Sequence, residues 1–327
     1  DPVATCQNIT VHLNNGGAAT VIAAMINNGS SDVCGIASLT LNNGSFGCAN
    51  VGPNSVTLTV TDVNGNSSTC TSVVTVIDSV DPTAVCQNVT VQLNSLGNGS
   101  TTAAAVNNGS SDACGIQSLS LSQSAFVCAE VGANTEVLTV TDVNGNTSTC
   151  STVITVQDNI APVATCQNVT VQLNNTGNGT TTAAAVNNGS SDACGIQSLV
   201  LSQTAFVCSE VGANTDVLTV TDVNGNTSTC TTVITVQDNV APVATCQSVT
   251  VQLDNTGNGS TTAAAVNNGS SDACGIQSLS LSQTAFVCAE VGANTEILTV
   301  TDVNGNTSTC ATVITVQDNV APIATCQ

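Results

Sequence analysis

The chain is built from short runs in which polarity alternates from one residue to the next. Val89-Thr90-Val91-Gln92-Leu93 is one, and Val137-Leu138-Thr139-Val140-Thr141 and Val153-Ile154-Thr155-Val156 are others. Successive side chains of a strand point to opposite faces, so this pattern predicts half-buried β-strands. The two longest runs flank Thr141-Asp142-Val143-Asn144-Gly145-Asn146-Thr147-Ser148-Thr149-Cys150. Asn-Gly between alternating runs predicts a hairpin, because Gly145 takes a positive φ without steric cost and Asn144 tolerates one. The same ten residues recur from Thr61, Thr221 and Thr301, at intervals of 80, with Ser67 as the one change.

One period reads as follows. Residues 88–93 predict a strand with Val89, Val91 and Leu93 on one face. Residues 94–100, rich in Gly, Asn and Ser, predict a turn, and residues 101–106 a second strand, since the Ala run is too short for an independent helix. A loop over 107–115 leads to a strand over 116–122 with Leu119 and Leu121 inward. Phe126 and Cys128 sit on a further short strand, and residues 129–134 turn the chain into the hairpin. Six strands are placed in this way. A string of units whose chain enters and leaves at opposite ends needs an odd number. A seventh is therefore expected, either as a split first strand or as a short piece around 122–125. The expected fold is all-β: a tandem array of four Ig-like antiparallel β-sandwich repeats of 80 residues. Their bounds are 1–80, 81–160, 161–240 and 241–320, with 321–327 as the start of a fifth.

Composition narrows the function. The chain has no Lys or Arg against 21 acidic residues. Nucleic acid and anionic membrane surfaces are recognised by basic side chains, so neither is an expected partner. No apolar run is long enough to insert into a membrane. The absence of basic residues also removes every trypsin site. With four Phe and neither Tyr nor Trp, the core must be built from aliphatic side chains. Units this small need staples beyond such a core. The sole His, His12, stands where later units carry Gln92, Gln172 and Gln252, on the wet face of its strand, and reads as a surface residue.

A further set of motifs runs through every unit in one order. It begins with Pro82-Thr-Ala-Val-Cys86-Gln-Asn88-Val-Thr-Val91, followed by Asp112-Ala-Cys114-Gly and Phe126-Val-Cys128-Ala-Glu-Val-Gly132. Leu138-Thr-Val-Thr-Asp142 with its Asn-Gly-Asn turn comes next, and Thr155-Val-Gln-Asp158 closes the unit. This order resembles hyalin-repeat (HYR) and PKD-like modules. The resemblance implies an Ig-like sandwich used in long arrays by bacterial surface and secreted proteins. It implies an extracellular stalk, fibre or adhesin module and no enzymatic activity.

Seventeen regularly placed cysteines, with no close Cys-x-x-Cys pairs, read as a disulfide framework and place the protein outside a reducing compartment. In an Ig-like sandwich the loop after the second strand and the last hairpin turn share one end. The expected pairs are therefore Cys34 with Cys70, Cys114 with Cys150, Cys194 with Cys230, and Cys274 with Cys310. The series Cys48, Cys128, Cys208 and Cys288 must then pair with Cys6, Cys86, Cys166, Cys246 and Cys326. Two routes stay open: Cys128 back to Cys86, or forward to Cys166 of the next unit.

Oxygen donors gather at the same end. They are Asp32, Asp62, Asn64 and Asp78 in the first unit, then Asp81, Asp112, Asp142, Asn144 and Asp158 in the second. Asp192, Asp222, Asn224 and Asp238 follow in the third, and Asp272, Asp302 and Asn304 in the fourth. Hard cations take six to eight oxygens, so a calcium site at each Pro-stiffened joint is expected. Capping of backbone donors in the turns is the competing role for the same side chains. Asn-x-Ser/Thr sequons predict surface positions and N-glycans at Asn28, Asn108, Asn188 and Asn268, and in the hairpin at Asn66, Asn146, Asn226 and Asn306. No nucleophile–base pair is present for catalysis. The leading expectation is a calcium-stiffened structural array that self-associates into a surface stalk or fibre. The alternative is an adhesin array binding glycans or protein through exposed loops.

Overall fold

The computed structural model describes residues 1–324. The chain divides into two compact bodies, one ending at Ile160 and one starting at Ala161. Each contains two copies of one β-sandwich. Of the expected fifth repeat, residues 325–327, with Cys326, lie outside the described residues.

The first unit contains β1 (Ile9–His12), β2 (Ala18–Thr20), the helical turn α1 (Ala23–Ile26), β3 (Ile36–Leu41), β4 (Ser45–Gly47), β5 (Gly52–Asp62) and β6 (Ser67–Ile77). One sheet has the order β1-β6-β5-β3, and the other pairs β2 with β4. The three other units repeat this arrangement. The predicted hairpin is its backbone: β5 and β6 are eleven residues each, in register from Gly52↔Val76 to Thr61↔Ser67. Their inward side chains Val56, Leu58, Val60, Val74 and Val76 meet Val11, Leu13, Ile26 and Phe46 in a single core. Phe126, Phe206 and Phe286, from the small sheets of the other units, are among the largest fully buried side chains.

The seventh strand is the split first one. Val3 and Cys6 bridge to Ser31 and Asn27, and the chain then crosses over so that β1 lies on β6. The pairing of β1 with β6 is parallel, an exception to the otherwise antiparallel sheets. It follows from a chain that enters at one end of the unit and leaves at the other: the first and last strands must run the same way.

Two local expectations are corrected. Residues 94–100 are not all turn, because Asn98–Ser100 is a strand paired with Ala125–Val127. Residues 101–106 are not a strand, because Ala103–Val106 forms a helical turn. Alone, so short a helix is unstable. Here Thr102 Oγ1 accepts from the Ala105 N–H at 3.2 Å, and Val106 is fully buried. The cap and the tertiary contact supply what propensity does not. Gly99 is required in the small sheet, since a Cβ there would lie 2.6 Å from Val91 Cγ1 and 3.0 Å from the Gln92 carbonyl. His12 is exposed as expected, its Nδ1 3.0 Å from Ser79 Oγ.

The disulfide pairing differs from the expected one. Cys6 bonds Cys70, Cys86 bonds Cys150, Cys166 bonds Cys230, and Cys246 bonds Cys310. The cause is the parallel ladder. With Ile9 opposite Val74, the register places Cys6 beside the Cys70 end of β6. Ser72 Oγ donating to the Gln7 carbonyl at 2.6 Å, and the Val73 N–H donating to Asn8 Oδ1 at 2.9 Å, continue the same seam. Loop 32–35 does share an end with the hairpin turn, through the Val63 N–H to Gly35 carbonyl bond of 3.2 Å, but Cys70 faces β1 instead. Cys34 is an exposed free thiol, not the partner of Cys70. Cys48 bonds Cys114 and Cys208 bonds Cys274, so the second series staples one unit forward to the Asp-Ala-Cys loop of the next, not to Cys86, Cys166 or Cys246. Cys128 and Cys194 are disulfide-bonded, and Cys288 is free and exposed.

Candidate functional site: the joint between units

The hairpin turn is organised by one carboxylate. Asp142 is fully buried, and its Oδ1 accepts from the Asn144 and Asn146 N–H groups, each at 2.8 Å. Its Oδ2 accepts from the Asn146 amide at 2.7 Å. Asp62, Asp222 and Asp302 repeat the pattern, with Asn64, Asn224 and Asn304 as the first backbone donors. Burial pushes the Asp142 carboxyl up, but the Asn146 side chain and the N–H groups of Asn146, Asn144 and Gly145 outweigh it and hold the carboxyl below its ordinary value. Asp62 is likewise held down, foremost by the Asn66 amide. Gly145 alone takes the positive φ, +94°, so the turn is wider than a two-residue Asn-Gly turn. These aspartates are turn caps whose oxygens are already engaged.

A second group of carboxylates lies at the joint itself. In the first body Asp78 is only 7% exposed, and its Oδ1 accepts from the Val80 N–H at 3.1 Å. Its Oδ2 is buried with no hydrogen-bond partner. Asp112 Oδ1 accepts from the Cys114 N–H at 2.7 Å. Asp78, Asp112 and Cys114 each present an atom within 4.8 Å of the others. The sulfur is not available as a thiolate, because Cys114 is bonded to Cys48. The donor set is therefore oxygen, suited to a hard cation and not to zinc.

The second body repeats the geometry with Asp238, Asp272 and Cys274, and Asp238 Oδ2 is again buried and unpartnered. Asn304 Oδ1 is also buried without a partner, and Asn304 lines one cavity with Asp238. Asp81 is exposed, and its place is taken by Ala241 in the second body, so it is no part of a repeated donor set. Asp32, Asp158, Asp192 and Asp272 each accept from a nearby backbone N–H. Asp32 Oδ1, Asp192 Oδ1 and Asp272 Oδ1 accept from the N–H of Cys34, Cys194 and Cys274, and Asp158 Oδ1 from that of Ile160.

Around these carboxylates the units touch through features that alternation does not mark. A Cβ on Gly17 would lie 3.1 Å from Ala113 Cβ, across the joint, and 2.8 Å from Cys48 Sγ. The Asn146 amide reaches back to the Asp78 carbonyl at 3.4 Å, and Asn306 to the Asp238 carbonyl at 3.1 Å. Cys114 packs against the core of the first unit, as Cys274 does against the core of the third. The only sequence signal for this contact is the glycine kept at Gly17, Gly97, Gly177 and Gly257, within an Asn- or Asp-initiated turn. Among the sequons, Asn28, Asn108, Asn188 and Asn268 are exposed. Asn146 and Asn306 already spend both amide hydrogens, so a glycan there would break one of these bonds.

No family model matches the chain, and no curated protein does. Among solved structures it is similar to protocadherin gamma B7 extracellular cadherin domains 1–4, at 14% identity and a TM-score of 0.29, covering 82% of this chain and 84% of that one. It is similar also to sidekick-1 immunoglobulin domains 1–5, at 9% identity and a TM-score of 0.31, covering 97% and 80%. The human desmocollin-1 ectodomain is a third, at 12% identity and a TM-score of 0.25, covering 84% and 70%. At these values the likeness reaches no further than strings of β-sandwich domains. Among the described residues no helix is long and apolar enough to cross a membrane.

Proposed function

We propose that the chain is a non-enzymatic structural protein of the cell surface or extracellular space, bacterial by its resemblance to hyalin repeats. In this reading it is a stretch of stalk or fibre whose joints are held by disulfides and calcium. The observation that carries the reading is the joint. A disulfide runs from one unit into the loop of the next, beside a buried carboxylate with an unpartnered oxygen. An ionised oxygen buried without a partner is costly, and a bound cation removes that cost.

Asp78 Oδ2 and the second oxygen of Asp112 would supply the first-body ligands. Asp238, Asp272 and the Asn304 amide oxygen would supply those of the second body. Calcium accepts water for the rest of its shell. Disulfides at this density suit an oxidising compartment. Adhesion through exposed loops is the weaker alternative, because the units lack the Trp and Tyr that anchor interfaces.

The test is thermal unfolding of the oxidised chain with calcium, with excess chelator, and with a sodium control of matched ionic strength. The expected result is a rise in midpoint with calcium that Asp78→Asn together with Asp238→Asn removes. An unchanged midpoint in all three conditions would leave disulfides and turn caps as what holds the joints.

A further inference from the structure

We propose that the joint within each body becomes a zinc-class metal site when its disulfide is reduced, with two thiolates and two carboxylates as ligands. The inference deepens the reading of the joint as a cation site, but it concerns the open joint, whereas calcium concerns the closed one.

In the first body the side chains are Asp78, Asp112, Cys114 and its partner Cys48. In the second they are Asp238, Asp272, Cys274 and its partner Cys208. One ligand atom from each of Asp78, Asp112 and Cys114 already lies within 4.8 Å of the others, and the second body repeats this. The metal-binding form of cysteine is the thiolate, which a closed disulfide does not supply. Reduction supplies two at once, beside the carboxylates. Thiolate sulfur favours zinc over calcium, and four sulfur and oxygen ligands complete a tetrahedral shell.

Three features mark this as a built site. Asp78 and Asp238 are only 7% and 6% exposed, and Oδ2 of each has no hydrogen-bond partner. Asp112 Oδ1 accepts from the Cys114 N–H at 2.7 Å, and Asp272 Oδ1 from the Cys274 N–H at 2.8 Å, so each loop holds its carboxylate and its cysteine together. The third feature is room. With Zn–S bonds of about 2.3 Å, two sulfurs on one tetrahedral zinc stand about 3.8 Å apart, so the pair must part from bonding distance. A glycine leaves that space: a Cβ on Gly17 would lie 2.8 Å from Cys48 Sγ, and one on Gly177 2.5 Å from Cys208 Sγ. The Cα atoms are 5.1 Å apart in both pairs, so rotation of the two side chains is enough.

A way in exists as well. Asp112 lines a cavity of about 320 Å3 with Ser111 and Thr83, and Asp272 lines one of about 340 Å3 with Ser271 and Val243. Among the described residues, no cysteine that closes a single sandwich belongs to such a group.

Opening the joint needs a reductant, and a dithiol suffices. One of its thiolates attacks the staple to form a mixed disulfide. Its second thiolate then displaces the protein sulfur, so the dithiol ends as a cyclic disulfide and the protein holds two thiols. The metal takes both as thiolates and their protons pass to the buffer. Cys48–metal–Cys114 then replaces Cys48–Cys114: the two units stay tied, but through a bond that a chelator can break.

The test uses cadmium, whose thiolate charge-transfer absorption reports zinc-class binding. Cys48→Ser with Cys208→Ser opens both joints, frees Cys114 and Cys274, and leaves the sandwich disulfides to form. Titrated with cadmium, this variant should show an absorption beyond that of the unsubstituted oxidised chain. Adding Asp78→Asn and Asp238→Asn should weaken its affinity about 10–100-fold. An absorption no greater than in the unsubstituted chain, or an affinity indifferent to the Asn substitutions, would overturn the proposal.

A second measurement avoids substitution. The unsubstituted chain is reduced with excess dithiol, freed of it without air, and alkylated with and without cadmium. Mass mapping should find Cys48, Cys114, Cys208 and Cys274 protected by cadmium. Equal alkylation in both samples would count against the site. Cadmium binding to the open joint, with no effect of calcium on the closed one, would support this proposal and remove the calcium reading. The reverse result would do the opposite.

Discussion

Two disulfides of nearly the same loop length do different work. Cys86–Cys150 spans 64 residues and ties the split first strand to the last strand of one sandwich. Cys48–Cys114 spans 66 and ties one sandwich to the next. Loop-closure entropy grows only logarithmically with length, so it does not distinguish them. What differs is the structure inside the loop. The first encloses most of a single core. The second encloses the hairpin of one unit and the first strands of another, so neither unit can open fully without straining its neighbour. The same cysteine chemistry therefore closes one sandwich on itself in one place and ties two sandwiches together in the other.

The comparison can be broken at several points. Cys86→Ser with Cys150→Ser should cost the second unit about 4 kcal/mol by loop-closure entropy, read from denaturant unfolding. Phe126→Ala, in the small sheet of the same unit, should cost about 3–5 kcal/mol and leave both disulfides formed. A much smaller loss would mean that the cross-links, not the core, carry the sandwich. Asp142→Ala strips the hairpin turn of its acceptor and should cost about 1–3 kcal/mol, since the Asn144 and Asn146 N–H groups lose their partner.

The turn caps also set an acid limit. Asp62 and Asp142 are held below the ordinary carboxylate value, so their stabilisation is complete above the unfolded value and is lost as pH falls through the depressed one. The unfolding midpoint should be flat from neutrality to about pH 4 and fall below it, less steeply in Asp142→Ala. The smallest effect on any single unit is expected from Cys48→Ser with Cys114→Ser. Its signature lies in cooperativity: units that melt together in calorimetry should melt separately. Unchanged single-transition melting would show that the staple does not couple them.

Much of this architecture is legible in one dimension. The hairpin β5–β6 announces itself by alternation, and the 80-residue period by identity. Requiring entry and exit at opposite ends calls for a seventh strand, and only the bridges of Val3 to Ser31 and Cys6 to Asn27 show that it is the split first one. The helical turn at 103–106 was not legible, because the burial of Val106 and the Thr102 cap, not the Ala run, decide it. The aspartates were recognisable as oxygen donors at one end of the unit. Their division into caps and joint carboxylates was not. Asp142 and Asp78 look alike as letters, and differ only in whether amide donors reach both oxygens.

By itself, then, the sequence determined the repeat, the strand faces, the hairpin and the regular placing of the cysteines. Those depend on period, polarity and composition, which are properties of neighbours along the chain. The tertiary structure alone decided which cysteines meet. Pairing is a matter of register between segments some 64 to 66 residues apart, and one parallel ladder between β1 and β6 sends Cys70 to Cys6 and leaves the Asp-x-Cys loop for the neighbouring unit.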